Sequence, residues 1–153
     1  MVNEVSGSLP HYKLGPDSYQ VSALVAGGTL VIADSSGNTV STAGAGALNV
    51  LGVAGNDASP IVSQAGTTTA YGDTLVDISV LPDYVSVYHG ADMHVTYAAN
   101  AAFGQLLKAA ANGTVTPWVS GTDTLPATIV GRCTQPGGVV QATLATGRAR
   151  IFG

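Results

Sequence analysis

Two stretches of this chain repeat each other, and the repeat limits what either can become. Gly28-Thr-Leu30-Val31, with Ala33 and then Gly37, aligns with Gly104-Gln-Leu106-Leu107, with Ala109 and then Gly113. Thr-Val follows each closing glycine, as Thr39-Val40 (one residue late) and as Thr114-Val115. Further on, Leu51-Gly52-Val-Ala54 aligns with Val130-Gly131-Arg-Cys133. Alone, the alanine-rich segment 98–111 (AANAAFGQLLKAAA) has the propensity of a helix. Its counterpart reads differently. Thr29 to Ala33 is β-rich, Asp34-Ser-Ser-Gly-Asn38 is turn chemistry, and Thr39-Val40 resumes the strand pattern. Like sequence implies like structure. The repeat therefore predicts a strand from Gly104, a turn at Ala111-Asn112-Gly113 and a second strand. A short helix over 98–102 stays open. Gly37 and Gly113 suit positive φ at the turns, and Gly52 and Gly131 suit a bulge or a close backbone approach.

The remaining β signals agree. Tyr19 to Leu24 alternates weakly, and Asn49 to Ala54 is a short strand around a glycine. Tyr84 to Tyr88 and Met93 to Tyr97 alternate cleanly around His89-Gly-Ala-Asp92, which reads as a hairpin. Ala127 to Cys133 and Gln141 to Ile151 supply the last strands. Neither repeated hairpin can bury a face alone, so the two are expected to pair into one small barrel or sandwich core. The fold class is all-β: a small β-barrel or sandwich-like domain with two related β-units, about 28–54 and 104–133, within a single domain spanning 19–153. Residues 1–18 carry Gly7, Pro10, Gly15 and Pro16, which prevent a regular element. Their apolar load of Val2, Val5, Leu9, Tyr12 and Leu14 favours an extended N-terminal arm that packs on a partner over a frayed end.

Composition then excludes function classes. Charged residues are only 9% of the 153, with a net charge of −4 and five scattered cations. Nucleic-acid binding needs a basic footprint, so that partner is not expected. The longest apolar run, Ala23 to Ala33, is broken by Gly27, Gly28 and Thr29 and is too short to span a membrane. No secretory signal is legible at Met1, and the lone Cys133 forms no internal disulfide, which leans towards a cytoplasmic origin. A surface this poor in charge solubilises weakly, so part of it is expected to lie against another subunit.

Chemistry-bearing clusters are few. His89, Asp92 and His94 are metal-capable, but three ligands fall short of a closed site and Asp92 has a structural reason to sit at a turn. No metal, cofactor or small-molecule substrate is expected, and a chelator should leave thermal stability unchanged. Cys133 lies in an apolar context that suits packing over reactivity. Gly-x-Ser-x-Gly is missing, and Gly44-Ala-Gly46 lacks the third glycine of a dinucleotide loop. Asp73, Asp77 and Asp83 are each where solvated aspartate is usual, so paired-carboxylate hydrolysis is not expected. The chain is read as a non-enzyme. Arg148 and Arg150, two apart, share one strand face, as a clamp on an acidic partner or as a solvated edge that resists aggregation. Trp118 is an interface anchor or core packing.

The repeated residues also carry a resemblance. Val-Ala-Gly-Gly-Thr-Leu-Val, a Gly turn, Thr-Val, Val-Leu-Gly-Val-Ala and Tyr-Val-Ser-Val-Tyr come in that order. Ala-Ala-Phe-Gly-Gln-Leu-Leu-Lys-Ala-Ala-Ala-Asn-Gly-Thr-Val-Thr-Pro and Ile-Val-Gly follow. From about Val25 to Cys133 this resembles the tailed-bacteriophage capsid cement, or head decoration, proteins. The resemblance implies a small all-β domain without catalysis. It also implies a homotrimer on the capsid exterior, assembled in the host cytoplasm, that binds the major capsid protein and bridges shell subunits. The alternative is a small β-type module, displayed on a virion, that binds carbohydrate or a cell-surface ligand.

Overall fold

Val, Thr and Tyr interleaved with small residues form strands because branched and aromatic side chains fit a pleated surface. The computed structural model describes residues 16–60, 81–142 and 145–152. In chain order it has β1 (Asp17–Val21), β2 (Leu30–Ala33), β3 (Thr39–Thr42), β4 (Val50–Ala54) and β5 (Tyr84–Tyr88). These are followed by β6 (Asp92–Thr96), β7 (Leu106–Ala109), β8 (Val115–Pro117), β9 (Ile129–Cys133) and β10 (Thr146–Ile151). Among the described residues the helical pieces are two single 3-10 turns, Ala111–Gly113 and Pro126–Thr128. The all-β expectation holds. Asp17 and Ser18 belong to β1, so the sheet begins inside the segment assigned to the arm. Residues 1–15, with Val2, Val5, Leu9, Tyr12 and Leu14, lie outside the described residues, as do Asp73 and Asp77.

The strands form two five-stranded sheets of one design. β1, β3, β2, β4 and β5 close into a barrel, and β6, β10, β9, β7 and β8 form the second sheet. In the first, β2 lies between β3 and β4, β5 follows β4, and β1 follows β5. In the second, β7 lies between β8 and β9, β10 follows β9, and β6 follows β10. Register agrees as well. Leu30 faces Val53, Val31 faces Gly52 and Ile32 faces Val50, with a bulge after Val31. Leu106 faces Arg132, Leu107 faces Gly131 and Lys108 faces Ile129, with a bulge after Leu107. A parallel pair, Val21 with Val40, closes the first barrel. The parallel bridge Tyr97 to Val115 joins the outer strands of the second. The duplication therefore reaches beyond 28–54 and 104–133 to all ten strands.

Two expectations are corrected. β5 and β6 do not form a hairpin: β5 spends both edges on β1 and β4, and β6 pairs with β10. Residues 89–91 link the two units, and alternation alone cannot tell a linker between barrels from a turn within a sheet. Nor do the repeated hairpins pair with each other; each sits in its own sheet. The first unit encloses Val21, Val25, Val31, Val40, Ala54, Ala58, Val85 and Val87. The second encloses Val95, Tyr97, Leu107, Ala109, Val115, Cys133, Ala149 and Ile151, joined by Leu30, Ala43, Val50 and Val53 of the first. That cluster is shared between the two units. Segment 98–102 is not helical. Segment 104–115 is strand, turn and strand, with Asn112 and Gly113 both at positive φ.

Candidate partner-binding surface

Of the described side chains singled out by sequence, Asp92, His94, Trp118, Cys133, Arg148 and Arg150 come from the second unit. Arg148 and Arg150 lie on β10, opposite His94 and Asp92 of β6. The Arg150 Nε donates to Asp92 Oδ1 at 3.0 Å on an exposed face. One arginine is thus already engaged within the sheet, and Arg148 is half-buried. An exposed pair of this kind contributes little to stability. His89 leaves this group for the first unit, where its Nε2 lies 3.7 Å from Asp17 Oδ2. Its hollow of about 240 Å³ is lined by Tyr19, Leu51 and Val87 as well. Among the described residues no three His, Cys, Asp or Glu side chains gather as a metal site. Cys133 is fully buried in the second core.

Trp118 follows β8 and is half-buried. Its backbone N–H donates to Leu106 O at 2.8 Å, while its buried indole Nε1 has no hydrogen-bond partner. The loop after it is held by charge. Lys108 Nζ donates to Asp123 Oδ1, and Asp123 Oδ2 accepts the Val119 N–H at 2.7 Å. The Lys108 ammonium foremost, and the Val119 amide next, hold the Asp123 carboxyl below its ordinary range. Beside this pair runs an open groove of about 370 Å³, lined by Thr116, Thr122, Thr124, Leu125, Thr128 and Ala109 to Ala111. In the core, burial first, then Cys133, raises the Tyr97 phenol far above its ordinary value. The Tyr97 Oη donates to Arg148 O at 3.1 Å, so it stays a neutral donor.

The apolar surface that sequence reasoning missed lies in the connections. Leu24, Leu48, Phe103, Val119, Leu125, Val140 and Phe152 are exposed, Phe103 by 66%. Leu48 and Phe152 flank one small cleft with Val50, Ile129 and Val130. Alternation predicts which strand residues point inward, but loop residues have no period. The signal that remained was a large apolar residue just before a turn former, as with Phe103 before Gly104 and Leu125 before Pro126.

No protein-family model matches the chain, and no curated protein matches it. A solved structure does. The fold is similar to that of the head fiber gp8.5 N base in bacteriophage phi29. The TM-score is 0.56 and the sequence identity 16%, covering 88% of this chain and 91% of that one. At that identity the likeness is one of fold.

Proposed function

We propose that this protein is a non-enzymatic structural component of a phage virion that attaches to the outside of the head shell. The observation that carries the reading is the fold. Nearly the whole chain follows the N base of a head fiber. The exposed apolar side chains of its loops support it, since they give a β-scaffold surface suited to adhesion. In the finer form of the reading the protein is a cement: a homotrimer whose subunits each contact the major capsid protein and bridge neighbouring shell subunits. Linked weak contacts then multiply into near-permanent attachment. Trp118, Arg148 and the apolar residues of the arm are the contacts proposed for it.

The deciding experiment is a mass-spectrometric inventory of purified particles from the virus that encodes the chain. Abundance near that of the major shell protein is expected, and absence from particles overturns the reading. Light scattering at micromolar concentration should give about three times the 15.2 kDa chain mass. Removing residues 1–15 tests the arm. The five apolar side chains at stake would return about 1.5–3 kcal/mol each on burial. The truncated protein should keep its melting temperature and bind shells more weakly. Equal binding would assign the adhesive surface to the barrels.

A further inference from the structure

The two units meet head to tail, through surfaces that are not equivalent. The first unit offers a socket made of Thr29, Leu30, Ala43, Val50 and Val53, each no more than 9% exposed. The second inserts a plug, Ala109 with the turn Ala111–Gly113. Gly113 N donates to Ala43 O at 2.8 Å, and Gly46 N donates to Ala109 O at 2.9 Å. A Cβ on Gly113 would lie 2.7 Å from Thr42 Cγ2 and 2.8 Å from Thr29 Cβ, so the turn is pressed onto the socket floor.

Duplication leaves one socket and one plug over. Strand pairing and the matching bonds Ala43 N to Leu30 O and Trp118 N to Leu106 O identify the spare socket on the second unit. It consists of Gln105, Leu106, Trp118, Ile129 and Arg132. Where the used socket is buried, these are half-buried and Arg132 is exposed. The spare plug on the first unit is Ala33 with the turn Asp34 to Gly37. Ala33 and Gly37 are exposed, and a Cβ on Gly37 would meet nothing within 4 Å. Both faces are thus more open than their counterparts in the internal joint.

We propose that these two faces join copies of this chain: the Asp34–Gly37 turn of one copy seats in the Leu106/Trp118/Ile129/Arg132 socket of the next, repeating between copies the joint that holds the units together. The residues that differ between the two joints argue for a second copy as the occupant. The internal plug is neutral, Ala110-Ala111-Asn112-Gly113, and Ala109 beside it shares a buried cluster with Val53. The spare plug carries Asp34, and the spare socket carries Arg132 where the internal one has Val53. Hydrogen bonds from Ser22, then Ser36 and Ser35, hold the Asp34 carboxyl below its ordinary value, so it is charged at neutral pH. Trp118 stands where the internal socket has Ala43 and adds apolar surface there. A heterologous contact of this kind lets each copy offer one plug and one socket, and assemblies close when the rotation between copies permits.

Sedimentation and light scattering of the full chain, up to about 100 μM, give the test, since contacts with Kd near 10 μM are saturated there. The intact chain should associate. Arg132→Asp and Asp34→Arg should each weaken association at least about tenfold, and the double reversal should restore it. Because Asp34 also organises its own turn, Leu106→Gln is the companion variant, with circular dichroism to show that each protein folds. The inference is overturned if the intact chain stays monomeric. It is equally overturned if the reversals and Leu106→Gln leave the mass unchanged, or if removal of residues 1–15 alone abolishes association while they do not.

Discussion

Gly52 and Gly131 stand at the same bulge of the two units, and each lies under a backbone carbonyl of the neighbouring strand. A Cβ at Gly52 would run into Tyr88 O, and one at Gly131 into Arg150 O and the Ile151 side chain. Backbone cannot swing aside as a side-chain tip can, so Gly131→Ala should cost about 1–3 kcal/mol, the usual range for overpacking. Gly37→Ala makes the contrast. Its φ of 72° carries a strain of roughly 1 kcal/mol, but the space around it is open. Thermal melts of the two variants should therefore rank Gly131→Ala as the more damaging, and the reverse order would contradict the shared bulge. Trp118 gives a second residue-scale test. Its buried Nε1 makes no hydrogen bond, so Trp118→Phe removes an unpaired donor and should change stability by less than about 1 kcal/mol. Trp118→Ala, which also strips the apolar ring, should lose about 2 kcal/mol. Equal losses in the two variants would mean that the indole N–H has a partner after all.

Among the elements, the loop between β8 and β9 is set apart from its counterpart between β3 and β4 by the Lys108–Asp123 pair. The folded carboxyl of Asp123 titrates below its ordinary value. The stability it lends is therefore present above about pH 4, the unfolded value, and is lost as the pH falls through the lowered one. Lys108→Met should weaken that dependence, leaving the part due to the Val119 amide, and amide exchange at Val119, whose N–H rests on Asp123, should quicken in the variant at neutral pH. Unchanged exchange would mean that the loop is held elsewhere. Element identity was legible wherever the repeat supplied a second witness. Segment 104–115 is strand, turn and strand despite its alanines, because the pairing of Leu107 with Gly131 and Pro117 overrides local propensity. The β5–β6 hairpin was misread because alternation fixes which side of a strand faces inward and is silent on its neighbour. The socket and plug were illegible for a related reason. Leu30 and Leu106 look alike in sequence, and only the packing of one unit on the other buries the first and leaves the second half-exposed.

At the scale of the molecule, the joint between units decides whether two small β-units behave as two domains or one. Leu30 and Val53 of the first unit are fully buried, and Val50 is 8% exposed, within a cluster that includes the interior of the second. Burying side chains of this kind is worth about 1.5–3 kcal/mol each. Three of them approach the whole stability of an ordinary domain, roughly 5–15 kcal/mol. Neither unit should therefore persist once the other has unfolded. The single tryptophan makes this measurable, because Trp118 reports on the second unit while circular dichroism reports on the strands of both. Leu30→Ala opens a cavity at the joint from the side of the first unit and should cost about 2–5 kcal/mol. If the joint couples the units, denaturant unfolding followed by Trp118 fluorescence and by circular dichroism should coincide in the intact chain and shift together in the variant. A fluorescence midpoint that stays put while the circular dichroism transition splits in two would show units that fold independently. The shared core would then be a contact surface between domains, too weak to make them one.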